Sequence, residues 1–320
     1  MLGTELCRLL DIGVPIIQAP IVPGACPELV AAVSDAGAIG SLGAVFRTAD
    51  ELTSDISRVR QLTQRPFIVN HVVPLLDEAA FAASLEARPT AISFALGHRP
   101  DLIKRVHEAG LRVLHQVHTV AQARQVAESE VDVIIAQGSE AGGNCAMVAS
   151  FVLIPQVVDA VSPIPVVAAG GIADGRGLAA ALVLGAAGAN IGTRFLASEE
   201  ACVDPAWKQR ILGAQSEDAV QLTFWQEVFG APGAEAFDVV PRALRTPFSD
   251  EWLGREVGGD ADRLKAEIVK AVRSGRIHEL APFTGQATGL IRSISPARDV
   301  IDAMVTQAED VLRRASHMMI

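Results

Sequence analysis

Two short apolar runs of this 320-residue chain end in Ala169-Gly170-Gly171 and Gly192-Thr193, and both are shaped to hold a phosphate. Glycine lets a backbone N–H approach an anion with no Cβ in the way, and the threonine adds a hydroxyl. A helix opening after Gly171 would add the positive end of its dipole. The bland alternative is a pair of tight strand-to-helix turns. Three histidines also stand at the carboxyl ends of apolar runs: His71, His98 and His118. A strand end is where a barrel presents catalytic groups, so each is a candidate base. His71 is favoured, with Asn70 before it, and His98, after Gly97, comes second. His115 falls inside its run and is expected to be packed. Cys145 has no adjacent cation to lower its pKa, so it reads as inert. Glu140 is expected to hold the backbone of its glycine-rich turn.

Eight apolar runs position these residues: Val14–Ala19, Ala38–Leu42, Phe67–His71, Ala91–Ala95, Leu111–Val117, Asp132–Ala136, Pro165–Ala169 and Ala189–Gly192. Helical stretches alternate with them. Pro27–Ala36 has proline in its first turn and Gly37 past its end, and Thr48-x-x-Glu51 is a capping box. Other helices start near Asp77, Pro100 and Thr119, and one spans roughly Asp174 to Ala187. Short strand–helix alternation gives a parallel sheet, and eight units can close it into a (β/α)8 TIM barrel. Such barrels commonly bind phosphate in the loops after their last two strands, where Gly170-Gly171 and Gly192-Thr193 fall.

Beyond Phe195 the pattern turns helical, over Pro205–Leu212, Asp218–Phe229, Ala261–Ser274 and Pro296–Arg314, with a loop at Gly230-Ala231-Pro232-Gly233. No further strand is required. The expected organisation is an α/β barrel over residues 1–204, a helical substrate or lid domain over 205–284, and a segment 285–320 that returns to the barrel and ends in a helix.

Composition narrows the class. The chain is 50% hydrophobic with 4% aromatics and no tyrosine, so Ala, Val, Ile and Leu build the core, as suits buried parallel strands. A net charge of −10 argues against a nucleic-acid or anionic-membrane partner. Cys7, Cys26, Cys145 and Cys202 lack CxxC spacing, which predicts neither a metal site nor a disulfide framework and suits a reducing cytoplasm. Arg8 and Asp11 interrupt the first apolar stretch, unlike a signal peptide. The charge-free run Gly177–Thr193 is too short and glycine-rich to span a bilayer.

Several runs resemble the nitronate monooxygenase family, formerly called 2-nitropropane dioxygenase. They are Pro15-Ile-Ile-Gln-Ala-Pro20, Pro27-Glu-Leu-Val-Ala-Ala-Val33, Gln137-Gly-Ser-Glu-Ala-Gly-Gly143 and Ala169-Gly-Gly-Ile-Ala-Asp-Gly175. Gly192-Thr-Arg-Phe-Leu196 and Gly285-Gln-Ala-Thr-Gly-Leu-Ile291 extend the likeness over nearly the whole chain. The resemblance implies one non-covalent FMN in a TIM barrel and oxidation of a small nitronate-like substrate with O2. It implies flavin contacts from Ala19, Pro20 and Ile21, from Asn70, and from Gln137, Gly142 and Gly143. Ala169, Gly170, Gly171, Gly192 and Thr193 complete the cofactor set, with Gln286 from the C-terminal segment. Members include FMN-dependent enoyl-carrier-protein reductases and NADH:quinone reductases, so NAD(P)H is an alternative electron donor.

One departure bears on the chemistry. The family's pattern places a histidine, its catalytic base, where this chain has Asn144. An amide accepts no proton near neutral pH. Proton removal from a neutral nitroalkane is therefore not expected here, unless His71 or His98 replaces the base, whereas a preformed nitronate needs none. A non-redox barrel binding a phosphorylated metabolite is the other functional class. Gly175-x-Gly177-x-x-Ala180, with Glu200 beyond it, loosely matches a dinucleotide fingerprint. Six strand-like units precede it and its glycines fall inside a helix, so a Rossmann domain is disfavoured. A homodimer is left open.

Overall fold

A computed structural model describes residues 2–230 and 238–318. Its strands in chain order are β1 (Ile16–Gln18), β2 (Gly40–Gly43), β3 (Phe67–Val72), β4 (Ala91–Ala95), β5 (Arg112–Val117), β6 (Val133–Gln137), β7 (Gly143–Cys145), β8 (Val166–Ala169) and β9 (Gly188–Ile191). All but β7 form one parallel sheet in the order β1-β9-β8-β6-β5-β4-β3-β2. An Ile17–Ile39 bridge joins β1 to β2 and closes the barrel. Each expected strand is present within two residues of its expected ends. At the closure the Gln18 side chain extends the ladder: its Oε1 accepts from Ser41 N (3.0 Å) and its Nε2 donates to Ser41 O (3.2 Å). A short strand thus completes its pairing through an amide side chain.

The helices are α1 (Glu5–Leu10), α2 (Pro27–Asp35), α3 (Ala49–Leu62), α4 (Glu78–Ala87), α5 (Pro100–Glu108), α6 (Val120–Ala127), α7 (Ser150–Val161) and α8 (Gly175–Val183). The capping box at Thr48 and Glu51 forms, and Asp77 and Thr119 cap α4 and α6. The short α1 was not signalled by the strand–helix rhythm. Its Leu6 and Leu10 join Ile17, Ile39, Ile68, Leu114, Val133 and Val167 in the barrel's interior cluster.

After β9 come α9 (Thr193–Leu196), α10 (Pro205–Gly213), β10 (Ala219–Gln221), α11 (Trp225–Phe229), β11 (Val240–Leu244), α12 (Pro247–Trp252), α13 (Ala261–Arg273), α14 (Ile277–Leu280) and α15 (Ala297–Ser316). This corrects the expected Asp218–Phe229 helix and the expectation of no further strand. β10 and β11 pair antiparallel with each other, and β11 pairs with β7. The partner lies about a hundred residues away along the chain, where a local pattern does not reach. Of the expected loop at Gly230-Ala231-Pro232-Gly233, all but Gly230 lies outside the described residues. Trp207, Phe224, Trp252, Leu264 and Ile268 give this insertion its own apolar cluster. Helix α15 packs on α8 and α2 through Val300, Ile301 and Met304, so it fills the eighth helix position of the barrel. Gly175 permits this: a Cβ there would lie 2.4 Å from Met304 O.

The cysteine expectation needs a correction too. Cys26 and Cys202 form a disulfide across 176 residues, while Cys7 and Cys145 are free and buried. Closure makes β1 and β9 neighbours, so the loops that follow them meet. No helix among the described residues is long and apolar enough to cross a membrane.

Candidate active site at the carboxyl end of the barrel

Side chains two residues beyond the apolar interior layer point the same way along each strand. Those positions are polar: Ser41, Asn70, Ser93, Gln116 and Gln137, with Asn190 at the same level of β9. Asn70 Nδ2 donates to Ser93 Oγ (2.9 Å), and Gln116 Nε2 donates to Gln137 Oε1 (3.1 Å). Ser41 Oγ and Asn190 Oδ1 are buried and find no partner among the described residues. A buried polar atom left without a bond is costly, so this layer suits a polar ligand laid across it. Ala19 and Ala169 fill the remaining positions of the level with small side chains.

The run Gln137–Asn144 has a physical reason at nearly every step. A Cβ on Gly138 would lie 2.1 Å from Ser150 Oγ. Glu140 caps α7, its carboxylate accepting from Ser150 N (3.0 Å) and Ser150 Oγ (2.7 Å), as expected of a loop-holding acid. Gly142 packs against Gly285, and Gly143 adopts φ 67°, open to glycine at no cost. Asn144 then sits in β7, opposite Pro241 of β11, with an exposed side chain.

The C-terminal segment locks the two sides of the mouth together. Gln286 N donates to Glu140 O (2.9 Å), and Gly285 N donates to Thr193 Oγ1 (2.9 Å). Trp207 Nε1 holds Thr284 Oγ1 at 3.0 Å. A Cβ on Gly285 would lie 2.6 Å from Gly142 N and 2.7 Å from Glu140 O. Gly285→Ala is therefore expected to lower stability by about 1–3 kcal/mol. A thermal midpoint equal to that of the unaltered protein would show that the junction yields freely.

Gly170 (φ 99°) and Gly171 (φ 73°) occupy the left-handed region that favours glycine. The backbone N–H groups of Gly171, Gly192 and Thr193 have no acceptor among the described residues. They lie on the loops after the adjacent strands β8 and β9, an arrangement able to hold a phosphate. The helix dipole expected after Gly171 does not contribute its first N–H groups. Asp174 Oδ1 already accepts from Arg176 N (2.9 Å) and Gly177 N (3.3 Å), and Gln307 Oε1 accepts from Gly175 N (2.8 Å). The next candidates, Pro20 and Ile21, follow β1 beside the phosphate loop. A Cβ on Gly192 would lie 3.7 Å from Ala19 Cβ and 3.9 Å from Ile21 Cγ1.

The histidines divide. Asn70 points inward, so His71 points outward, where its Nε2 meets Ser84 Oγ of α4 at 2.9 Å and its ring packs edge-on to Phe81. Burial pushes its pKa down to about 4, against a smaller opposing pull from Asp77. His98 turns to Ser129 Oγ (2.9 Å) and is lowered by burial. The structure brings neither to Asn144. His118 is the histidine at the mouth: its Nε2 lies 2.7 Å from Gln137 Oε1, and it hydrogen-bonds the Asn144 backbone. Burial lowers it to about 4 despite both bonds, so near pH 7 it is neutral and donates from one nitrogen only. Cys145 is buried with its thiol raised chiefly by burial, which agrees with an inert role.

Sequence reasoning passed over Ser41, Ser93, Gln116, Asn190 and Thr284. All but Thr284 obey the two-residue period of a strand, which is the signal that could have found them.

The nitronate monooxygenase family model matches residues 4–86 and 80–307. A Rhodococcus jostii (strain RHA1) protein, named (3aS,4S,5R,7aS)-5-hydroxy-7a-methyl-1-oxo-octahydro-1H-indene-4-carboxyl-CoA dehydrogenase, is 32% identical over 96% of this chain and 96% of its own. A nitronate monooxygenase of Paraburkholderia phytofirmans is 31% identical, covering 97% of this chain and 95% of its own. The structure of FabK from Thermotoga maritima superimposes with a TM-score of 0.88 and 32% identity over 100% of both chains. Fold and matches together define an oxidoreductase built on a parallel α/β barrel, of a class that generally depends on a flavin. The chain belongs to the nitronate monooxygenase family.

Proposed function

We propose that the chain is a cytoplasmic FMN-dependent oxidoreductase that oxidises a small preformed nitronate with O2. Asn144 carries this reading, because an amide at the reacting position binds an anion by hydrogen bonds but removes no proton. Gly171, Gly192 and Thr193 would hold the FMN phosphate through the N–H groups described above, with Gly170 shaping the loop through its positive φ. Asn70, Gln137 and Ala169 would lie beneath the flavin ring, with Ala19, Pro20 and Ile21 along one side. Gly142, Gly143 and Gln286 would close the other side, where Gln286 N is tied to Glu140 O. A flavin held by these residues would supply the redox chemistry that links the substrate to O2. The chain orients the anion beside Asn144, and the insertion paired through β7 limits access of water.

A second reading has support from the Rhodococcus relative, whose name describes a carbocyclic carboxyl-CoA dehydrogenase. In it, the same residues would hold a flavin whose redox chemistry serves a CoA thioester, with NAD(P)H as the alternative electron donor. Anaerobic bleaching of the flavin separates the two. We expect bleaching by an alkyl nitronate, and a rate lower by about 10²-fold or more for the parent nitroalkane, the usual worth of general-base help. Bleaching by NADH, NADPH or a carboxyl-CoA ester, with none by any nitronate, would establish the second reading instead. A colourless protein unable to take up FMN would remove both.

A further inference from the structure

We propose that Cys26 and Cys202 form a thiol–disulfide exchange site whose reductant is a dithiol, and whose state sets how firmly the two loops beside the phosphate site are joined. The second half of this proposal rests on the FMN reading; the first does not. The pair sits where the loops after β1 and β9 meet. Cys26 is nearly buried as the residue preceding α2, and Cys202 is exposed. That asymmetry fixes the direction of exchange. An incoming thiolate reaches Cys202 Sγ; the S–S bond breaks and its electron pair moves to Cys26 Sγ. The departing thiolate lies at the N-terminus of a nine-residue helix with no other side-chain cap, a position that stabilises negative charge and speeds departure. The reductant's second thiol then displaces Cys202 Sγ. The products are two protein thiols and one cyclic disulfide, a balanced two-electron, two-proton exchange.

Two neighbours modulate the site: the Glu200 carbonyl oxygen lies 3.3 Å from Cys26 Sγ and 3.8 Å from Cys202 Sγ, and Glu28 stands beside both sulfurs. A Glu28 carboxylate oxygen lies within 4.8 Å of both sulfurs, and its ion pair with Arg58 (3.2 Å) offsets its charge. Coupling to the mouth is short-range. Cys202 N donates to Gly24 O (3.2 Å), and the same loop carries Ile21, which lies against Gly192. Opening the disulfide leaves these weaker contacts to hold the loops together.

The test uses the full chain equilibrated in reduced or oxidised dithiothreitol, with peptide mass mapping, FMN titration and thermal melts. The expected result is a Cys26–Cys202 cross-link that is lost and regained with the buffer, while Cys7 and Cys145 stay unalkylated in both states. The FMN dissociation constant should rise several-fold on reduction and the thermal midpoint should fall. Cys202→Ser should match the reduced form and ignore the buffer. Cys26 and Cys202 both alkylated in the oxidised buffer would overturn the exchange site. Equal FMN affinity in the two states would overturn the coupling. If neither state binds FMN, the FMN reading is what fails, and the coupling is then decided by the midpoint, an unchanged one refuting it. One equivalent of zinc in the reduced protein, lost in Glu28→Gln, would replace the exchange site with a metal site.

Discussion

Asn144→His is expected to confer turnover of neutral nitroalkanes, by about 10²–10⁴-fold over the unaltered chain, the usual contribution of a positioned general base. The backbone should tolerate the change, because Asn144 lies in β7 with its side chain exposed and its register fixed opposite Pro241. Gly142 and Gly143 before it already have the conformations that the loop requires. The base acts in its neutral form, so the gain should rise with pH through the imidazole's titration near pH 6.5 and then level off. Turnover of a preformed nitronate should change little, since no proton is removed from it. Misplacement by about 1 Å could cost roughly 10²-fold, so a gain at the low end is consistent. Rates on a nitroalkane and its nitronate, measured across pH 5.5–8.5 with flavin occupancy verified, decide the matter. Full occupancy with no gain at any pH would mean that this mouth serves another reaction.

The barrel was legible because its signals are local. Apolar runs of four to seven residues, proline in first turns, and the Thr48–Glu51 box each fix an element without help from distant residues. The glycines at 170, 171 and 142 were legible for a related reason: positive φ or close backbone approach leaves few alternatives. What failed was non-local. β10 and β11 depend on an edge strand in the loop after β6. The Cys26–Cys202 pair depends on closure bringing β1 beside β9. His71 failed differently, since its position at a strand end suggested the mouth. Alternation sends Asn70 inward and so sends His71 into the helical layer, against Ser84 and Phe81. Counting parity from Ile68 would have reassigned it without any structure.

The buried histidines have a further consequence, for stability in acid. His71, His115 and His118 are each held at about 4 in the folded chain, chiefly by burial, against roughly 6.5 when unfolded. Each folded-state pKa is depressed, so the unfolded chain binds more protons between those values. Their stabilising contribution is complete above pH 6.5, shrinks as pH falls, and is gone below pH 4. The slope is about 1.4 kcal/mol per pH unit for each proton, so three such groups can remove several kcal/mol by pH 5. Domains of ordinary stability have only about 5–15 kcal/mol in all, which makes this loss large. Urea midpoints at pH 7.5, 6.5, 5.5 and 5.0 should therefore fall steeply below 6.5. His71→Gln can still hydrogen-bond Ser84 but carries no titratable ring, so it should flatten the decline by about one proton's worth. Midpoints constant from pH 7.5 to 5.0 would show that these rings bind protons equally well folded and unfolded. A decline unaltered by His71→Gln would assign the acid sensitivity to other groups, with His115, beside Phe94, and His118, beside Gln137, next to test.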